Sequence, residues 1–545
     1  MKKIKESIKE LLPAVLLAFV TSFMVYIYEP ILTYSTNIND FWFDFKLMFS
    51  SIVIYGVIFF LILMLVYMIL YLIIKIFSKK VTIFYVILIL SFIIFAFTYI
   101  QGNYLIGNLP TLNGEIIDWT KFKNENTISL IILFVLILSE IILIKKTKLE
   151  KTVKINNYIV IAIFVMLLTS FISVLCTPGM FKEKIIAMAT NRNINNVSTD
   201  KNFFIFVVDS VDSREFSKVV TETQEYNDTF KNFTYYPDTT SAYLYTRDAI
   251  PFILSGIWNE EKTEFVDYYN EAFDKSVLFK TLGEKGYEMN FYEYEIYATS
   301  RNIEQFANID IYNDKIDKVN FFKQLTKYVL FKYLPYPLKQ YSKIETADFN
   351  YCKIDKDGIY FDWSDENTYN IIKNNDLENV NNKYFQIWHI EGGHVPFDYD
   401  ENVNKILEEG TYEQKLKATL KIIDSFINRL KENNTYDNSV IVVLADHGEG
   451  INTLRQNPIL YIKGIDEHHE MEISDIPVAY EDLMDAYIQL LEGYKSTELF
   501  QNIDKNRVRR VLNNQYTENR MIEYEQRGKA WDNDAFIATG REFKR

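Results

Sequence analysis

The fold class this sequence predicts is an N-terminal region of five transmembrane helices followed by an α/β domain with a mostly parallel central sheet. Three observations predict it. The first third of the chain is apolar in long runs, whereas the remainder is mixed, acidic and rich in Asn, Tyr and Phe. That remainder alternates short β-branched and aromatic runs with stretches of helical periodicity. Two of the short runs end abruptly in an acid, at Asp209 and Asp446. Buried parallel strands end this way where they deliver polar groups to the carboxyl rim of a sheet.

A bilayer core of about 30 Å takes roughly 20 helical residues to cross. Five stretches qualify: 11–28, 51–74, 81–100, 127–144 and 158–175. No small-residue cleavage site follows the first, so it reads as a span and not as a signal peptide. Lys2, Lys3, Lys5 and Lys9 precede the first span, and Lys75, Lys79 and Lys80 separate the second from the third. Lys145, Lys146, Lys148, Lys151 and Lys154 separate the fourth from the fifth, while the other two loops carry chiefly Lys46, Lys121 and Lys123. The positive-inside rule makes the N-terminus cytoplasmic. Five spans then leave everything after Cys176 outside, on a multi-pass protein of the plasma membrane. Glu140, near the cytoplasmic end of the fourth span, reads as snorkelling toward Lys145 and Lys146.

A chain of 545 residues exceeds one compact domain. The expected organisation is a transmembrane region over 1–176, a juxtamembrane helix and linker over 177–201, an extracellular α/β domain over 202–491, and a tail over 492–545 packing on it. Strands are expected at 203–208, 288–294, 384–390 and 439–444, with a helix over 414–430. The net charge of −14 argues against a nucleic-acid partner. The two cysteines, Cys176 and Cys352, have no ligand spacing, and no structural disulfide is expected. Abundant Asn, Lys and Ile fit an AT-rich bacterial genome.

Chemistry concentrates at 441–450, Ile-Val-Val-Leu-Ala-Asp-His-Gly-Glu-Gly. A strand alone would point Asp446 and His447 to opposite faces; a turn beginning at Gly448 lets both reach one ion. All five histidines, His389, His394, His447, His468 and His469, lie in one stretch of the C-terminal half. If the strands ending at Asp209 and Asp446 are neighbours, two carboxylates and an imidazole meet at one rim, a set that suits a divalent cation. Asp209 alone reads equally as a helix N-cap. Thr246, ahead of an apolar helical run closing in Ser255-Gly256, is either a simple N-cap or a hydroxyl nucleophile at a helix N-terminus.

Four motifs occur in order: Val-Val-Asp-Ser at 207–210, Thr-Arg-Asp-Ala-Ile-Pro-Phe-Ile-Leu-Ser-Gly at 246–256, Gly-Gly-His-Val-Pro-Phe at 392–397 and Ala-Asp-His-Gly-Glu at 445–449. Together they resemble the sulfatase-like branch of the alkaline phosphatase superfamily. With five preceding spans, the layout is similar to that of lipoteichoic acid synthases and phosphoethanolamine transferases. The resemblance implies an alkaline-phosphatase-like fold and one divalent metal ion, Mn2+, Mg2+ or Zn2+, held by Asp209, Thr246, Asp446 and His447. It implies that Thr246 is the nucleophile and that His394 binds substrate or donates a proton. Arg301, in Ser-Arg-Asn-Ile-Glu-Gln-Phe, resembles an arginine on the substrate phosphate and reads equally as a surface arginine. His389 either helps the site or closes a strand. Lys463, after a strand over 459–462, reaches a phosphate or is simply solvated. His468 and His469 sit in what reads as an exposed turn.

Two departures matter. The teichoic acid synthases have Glu where this chain has Asp209. Thr at 246, in place of Cys or Ser, cannot become formylglycine, which disfavours true sulfate ester hydrolysis. The implied activity is transfer of phosphoglycerol or phosphoethanolamine from a membrane phospholipid donor to a glycan or glycolipid acceptor, through a covalent phosphothreonine. The alternatives are a sulfatase-like hydrolase or phosphodiesterase, and a catalytically silent protein that binds glycans or partners.

Overall fold

Long apolar runs without helix breakers form helices, because a helix satisfies its own backbone hydrogen bonds. The computed structural model describes residues 2–544 apart from 39–40, 79–80, 108–116, 185–186, 224–225, 227, 261–264, 294–303, 313–315, 342–347, 350–351, 355–357, 409, 452 and 516–519. The chain divides into two units: Met1–Lys184 with Asp314–Ile354, and Ile185–Asn313 with Asp355–Arg545.

In the first unit, α1 (Lys2–Phe23) runs through a π-helical turn, Met24–Tyr28, into α2 (Glu29–Thr36). Pro30 offers no N–H to the preceding turn, and the Glu29 N–H bonds back to the Met24 carbonyl instead. There follow α3 (Phe45–Phe77), α4 (Thr82–Tyr104), α5 (Lys123–Thr147) and α6 (Leu149–Leu175). Among the described residues five helices are long and apolar enough to cross a membrane: Ser7–Thr36, Phe45–Phe77, Thr82–Tyr104, Trp119–Thr147 and Leu149–Leu175. They point to a membrane-integral protein. Glu140 departs from the snorkelling expectation. Its side chain is buried and accepts a hydrogen bond from Asn156 Nδ2 at 3.1 Å, so a partner on α6 holds the carboxylate inside the bundle.

In the second unit the strands of the main sheet, in chain order, are β1 (Asn202–Val208), β2 (Thr234–Tyr235), β3 (Tyr287–Tyr292), β4 (Lys383–Ile390), β5 (Ser439–Leu444), β6 (Leu460–Lys463) and β7 (Glu472–Ile473). Their spatial order is β7-β2-β6-β5-β1-β4-β3. The β5-β1-β4-β3 part is parallel, and β6 is antiparallel to both β5 and β2. The second unit is thus an α/β domain with a mostly parallel, mixed central sheet. β1 and β5 are buried along their whole length, which is why they read as unbroken apolar runs. Helix α7 (Ser213–Glu222) follows β1, α8 (Thr246–Ser255) precedes β3, and α9 (Asp365–Asn374) and α10 (Tyr412–Glu432) flank β4 in sequence. Phe426 of α10 packs edge-on to Phe206 of β1, with ring centroids 4.7 Å apart, and Phe206 stacks on Trp388 of β4 at 5.8 Å. Each such fully buried ring contributes about 1.5–3 kcal/mol by burial.

The described part of 177–201 holds no helix beyond the end of α6. Ala187–Ala189 pairs with Ile309–Ile311, and Asn196–Ser198 pairs with Glu378–Val380. Partners more than a hundred residues away supply these ladders, and no local pattern announces them. The C-terminal residues form an antiparallel sheet of β8 (Arg509–Gln515), β9 (Arg520–Gln526) and β10 (Phe536–Lys544). Arg509 Nη1 lies 2.9 Å from Asp238 Oδ1, Leu512 N donates to Ala242 O at 2.8 Å, and Asn514 Nδ2 donates to Asp248 Oδ2 at 2.7 Å. This sheet therefore pins the stretch that carries Thr246 from both sides.

Candidate functional site

Because Leu444 stands beside Val207 in the β5–β1 register, the next turns of chain bring Asp446 and Asp209 out together at the same rim. Asp446 Oδ1 accepts hydrogen bonds from the N–H groups of Ser210 (3.0 Å) and His447 (2.8 Å). Asp446 Oδ2 and Asp209 Oδ1 are buried and accept none among the described residues. The chain bends at Asp446, so His447 does not flip to the far face. Its Nδ1 lies 2.8 Å from the Gly448 carbonyl, which fixes Nδ1 as the protonated nitrogen. Nε2 is then a lone-pair donor 3.2 Å from Asp446 Oδ2. Asp212 holds the following loop, accepting from Gly450 N and Ile451 N at 3.2 Å and from Thr453 Oγ1 at 2.9 Å. Ser210 takes a left-handed backbone, φ 56°, beside Asp209. Strain of this kind collects where a site over-determines the chain.

Tyr245, extended, is the residue that caps α8, and Thr246 is the first helical residue. The Thr246 hydroxyl makes no capping bond. It lies 3.3 Å from Asp209 Oδ2 and 3.3 Å from His447 Nε2. Thr246 thus stands one residue inside the helix and not at its N-cap position. The positive end of the α8 dipole also faces the hydroxyl.

Asp209, Asp446 and His447 are all buried and offer ligand atoms within 4.8 Å of one another. Burial pushes the Asp446 carboxyl up, and the charge on Asp209 pushes it further. Burial acts the same way on Asp209, but the imidazoles of His394, His389 and His447 outweigh it and hold that carboxyl well below its usual range. Two adjacent buried carboxylates, each with an oxygen lacking a donor, fit a divalent cation.

His389, fully buried on β4, sits between acids. Its Nδ1 is 2.6 Å from Glu293 Oε2 and its Nε2 is 3.5 Å from Asp209 Oδ2. Burial opposes its charge, yet Glu293 and Asp209 outweigh that and raise its pKa well above the ordinary value. The Trp363 ring lies 5.7 Å from the His389 ring and 6.4 Å from the half-buried His394 ring, so one aromatic side chain touches both imidazoles.

The loop carrying His394 reaches the site through Gly392. That residue has φ 58°, and a Cβ on it would stand 2.7 Å from the backbone N and O of Asp209. Gly392→Ala is therefore expected to lower stability by about 2–4 kcal/mol and to weaken Mn2+ binding, read by thermal unfolding and by metal titration. Beneath the loop, Asp365 Oδ1 accepts from Gly392 N at 3.3 Å, and Lys415 Nζ donates to the Pro396 carbonyl at 3.0 Å. Burial, then the neighbouring Glu391 carboxylate, push Asp365 up to about 8. A carboxyl raised in this way contributes stability that is complete below about pH 4 and is lost as pH climbs through about 8. The wild type should lose stability between about pH 4 and about pH 8, and Asp365→Asn should flatten that slope in denaturant unfolding.

Arg301 lies outside the described residues. Lys463 is not brought to the site. β6 runs antiparallel to β5 and pairs Lys463 with Ile441, at the end of the sheet away from Asp446. Its ammonium is buried and donates to the carbonyls of Tyr436, Ser439 and Gly464, each at 2.9 Å. Neither alternative for Lys463 holds: the antiparallel strand carries it away from the rim, and the side chain is buried instead of solvated. His468 is exposed, and His469 pairs with Glu467 at 3.1 Å, away from the cluster. Glu293 was missed, although it follows β3 directly and obeys the same strand-ends-in-acid pattern as Asp209 and Asp446.

The sequence matches the sulfatase family over residues 201–474, half of the chain and the stretch that holds every residue of this cluster. The chain belongs to the sulfatase family. A search of curated proteins found no match. Solved structures similar to it include Ps i-CgsB in complex with k-i-k-neocarrahexaose, at 13% identity and TM-score 0.40, covering 60% of this chain and 82% of that one. A protein in the alkaline phosphatase superfamily from Vibrio parahaemolyticus matches at 13% identity and TM-score 0.37, covering 63% and 79%. The phosphonate monoester hydrolase SpPMH from Silicibacter pomeroyi matches at 13% identity and TM-score 0.35, covering 63% and 89%. Membership supports an ester-cleaving enzyme, and sulfatase-family domains generally use a divalent metal ion.

Proposed function

We propose that this protein is a membrane-anchored phosphoryl-head-group transferase of the cell envelope. The observation that carries the reading is the Thr246 hydroxyl, 3.3 Å from both Asp209 and His447 at the start of α8, in a chain that also holds five membrane-length helices. Having lost its hydroxyl proton to solvent, Thr246 attacks as its alkoxide the phosphorus of a phospholipid such as phosphatidylglycerol or phosphatidylethanolamine. The bond to the diacylglycerol oxygen breaks, and His394 gives that oxygen a proton. A glycan or glycolipid hydroxyl then attacks the phosphothreonine, passes its proton to His394 and releases Thr246. Asp209, Thr246, Asp446 and His447 would hold one divalent ion (Mn2+, Mg2+ or Zn2+). When bound, it supplies positive charge that lowers the hydroxyl pKa and offsets charge on the phosphate. The catalytic part spans 202–491 with the tail at 492–545 closing it, joined through 177–201 to spans within 1–176. The lysine-rich loops favour a cytoplasmic N-terminus and an extracellular catalytic part in a bacterial plasma membrane.

Full-length protein in lipid nanodiscs, given head-group-labelled phospholipid and Mn2+, tests this by intact mass. The expected result is a phospho-adduct on Thr246 that identifies the donor head group, lost in Thr246→Ala. Turnover of lipid without any adduct at Thr246 overturns the covalent mechanism. Hydrolysis is the second reading, favoured by the sulfatase-family match: water in place of a sugar hydroxyl resolves the same adduct. Products formed with and without a glycan acceptor separate the two.

A further inference from the structure

The segment Asp314–Ile354 leaves the second unit in sequence and belongs to the first, with the membrane-length helices. Its helices are Lys318–Tyr333 and Tyr336–Lys339. A buried polar anchor ties it to α2. Lys332 pairs with Glu29, Tyr333 OH donates to Glu29 Oε2 at 2.9 Å, and Thr33 Oγ1 donates to Tyr328 OH at 2.7 Å. Tyr333 also fills the surface of Gly102 on α4, where an added Cβ would stand 2.3 Å from the ring. Further bonds join Tyr55 OH to the Lys318 carbonyl at 2.6 Å and Tyr336 OH to the Leu105 carbonyl at 2.6 Å.

The depth of this segment can be measured along the spans. Glu29 stands about 20 residues beyond Lys9, and Tyr55 about 20 residues from Lys75. At 1.5 Å per residue each is about 30 Å from a lysine-rich end, the thickness of the hydrocarbon layer. The same level carries an aromatic belt: Trp119 packs on Phe331, Phe122 stacks on Tyr336, and Phe322 stacks on Tyr26. The Lys318–Tyr333 helix keeps Val319 and Leu330 exposed on one side, at 79% and 45%, and on the same side Phe322, packed against Tyr26 and Tyr55 of the spans, is still 39% exposed. Exposed Lys318 and Lys323 flank them. A water-facing helix would not spend three large apolar residues this way.

We infer that the Lys318–Tyr333 helix is an in-plane membrane element. Its Val319, Phe322 and Leu330 stripe rests in the phospholipid layer at the boundary of acyl chains and head groups, at the end of the spans opposite the lysine-rich loops. The stripe continues the lipid-facing surface of the spans that hold the helix, so phospholipid is its occupant. The conclusion is independent of the activity proposed above.

Spin labels on Val319→Cys and Leu330→Cys, one at a time in a Cys176→Ser full-length protein in phosphatidylglycerol–phosphatidylcholine nanodiscs, test it. Leu61→Cys on α3 and the exposed Leu407→Cys serve as lipid and water references. The expected ratio of oxygen to nickel-chelate accessibility is several-fold above that of Leu407 and near that of Leu61. A ratio equal to that of Leu407 overturns the inference. A label shielded from both reagents also overturns it, because a protein would then cover the stripe. Gly102→Leu should drive the Leu330 label toward the water ratio by displacing Tyr333; an unchanged ratio there would show that the Gly102 contact does not seat the helix.

Discussion

Replacing Thr246 with alanine is expected to cut turnover by about a thousandfold or more, with little change in stability. The two expectations come apart for a structural reason. Thr246 is the first residue of α8 but makes no capping bond, so its hydroxyl does not hold the helix. Loss of stability should stay within about 0.5 kcal/mol. Loss of activity should be nearly complete, because the remaining Asp209 and His447 have no oxygen at that position to offer phosphorus. Thr246→Ser keeps the hydroxyl and should retain measurable turnover and adduct. Lipid turnover and a thermal melt on all three proteins check this; a stable, fully active Thr246→Ala protein would sink the mechanism.

Asp446→Asn is the second large effect, and it should move two readouts in opposite directions. Asn can keep an oxygen toward the N–H groups of Ser210 and His447, so the local turn survives. The substitution removes one of two adjacent buried carboxylates whose charges burden each other. Without metal the variant should be as stable as the wild type or more so. With Mn2+ it should bind on the order of a hundredfold more weakly, and turnover should fall with it. Calorimetric metal titration and melts in chelator check both halves. A variant less stable in chelator, with unchanged Mn2+ affinity, would mean that Asp446 is purely structural.

Much of the site was legible because each of its strands writes its own signal. β1 and β5 are buried on both faces, so they appear as continuous apolar runs, and an acid at the end of such a run has few structural uses. Asp209 and Asp446 were visible for that reason. Glu293 also follows a strand end, but β3 carries Glu288 and Asn290 and alternates instead of forming an unbroken apolar run, and the expected strand ran past it to 294, so nothing singled it out. Lys463 shows where the rule fails. Apolar content reveals that a strand is buried but not which way it runs, and β6 runs backward. Its terminal lysine lands at the opposite end of the sheet, capped by three carbonyls.

By itself, the sequence determined what depends on composition and short spacing: five membrane-length apolar segments, the α/β alternation, and the acids, imidazole and hydroxyl at strand and helix ends. Tertiary structure decided whatever depends on partners distant in sequence. It placed Asp446 beside Asp209, separated by more than two hundred residues, through the β5–β1 pairing. It set His389 between Asp209 and Glu293, and it drew Glu140 to Asn156 instead of the basic loop. It also returned Asp314–Ile354 to the spans. Lys332 meets Glu29 and Tyr333 meets Gly102 only after the whole chain has folded, and no local periodicity encodes contacts across more than two hundred residues.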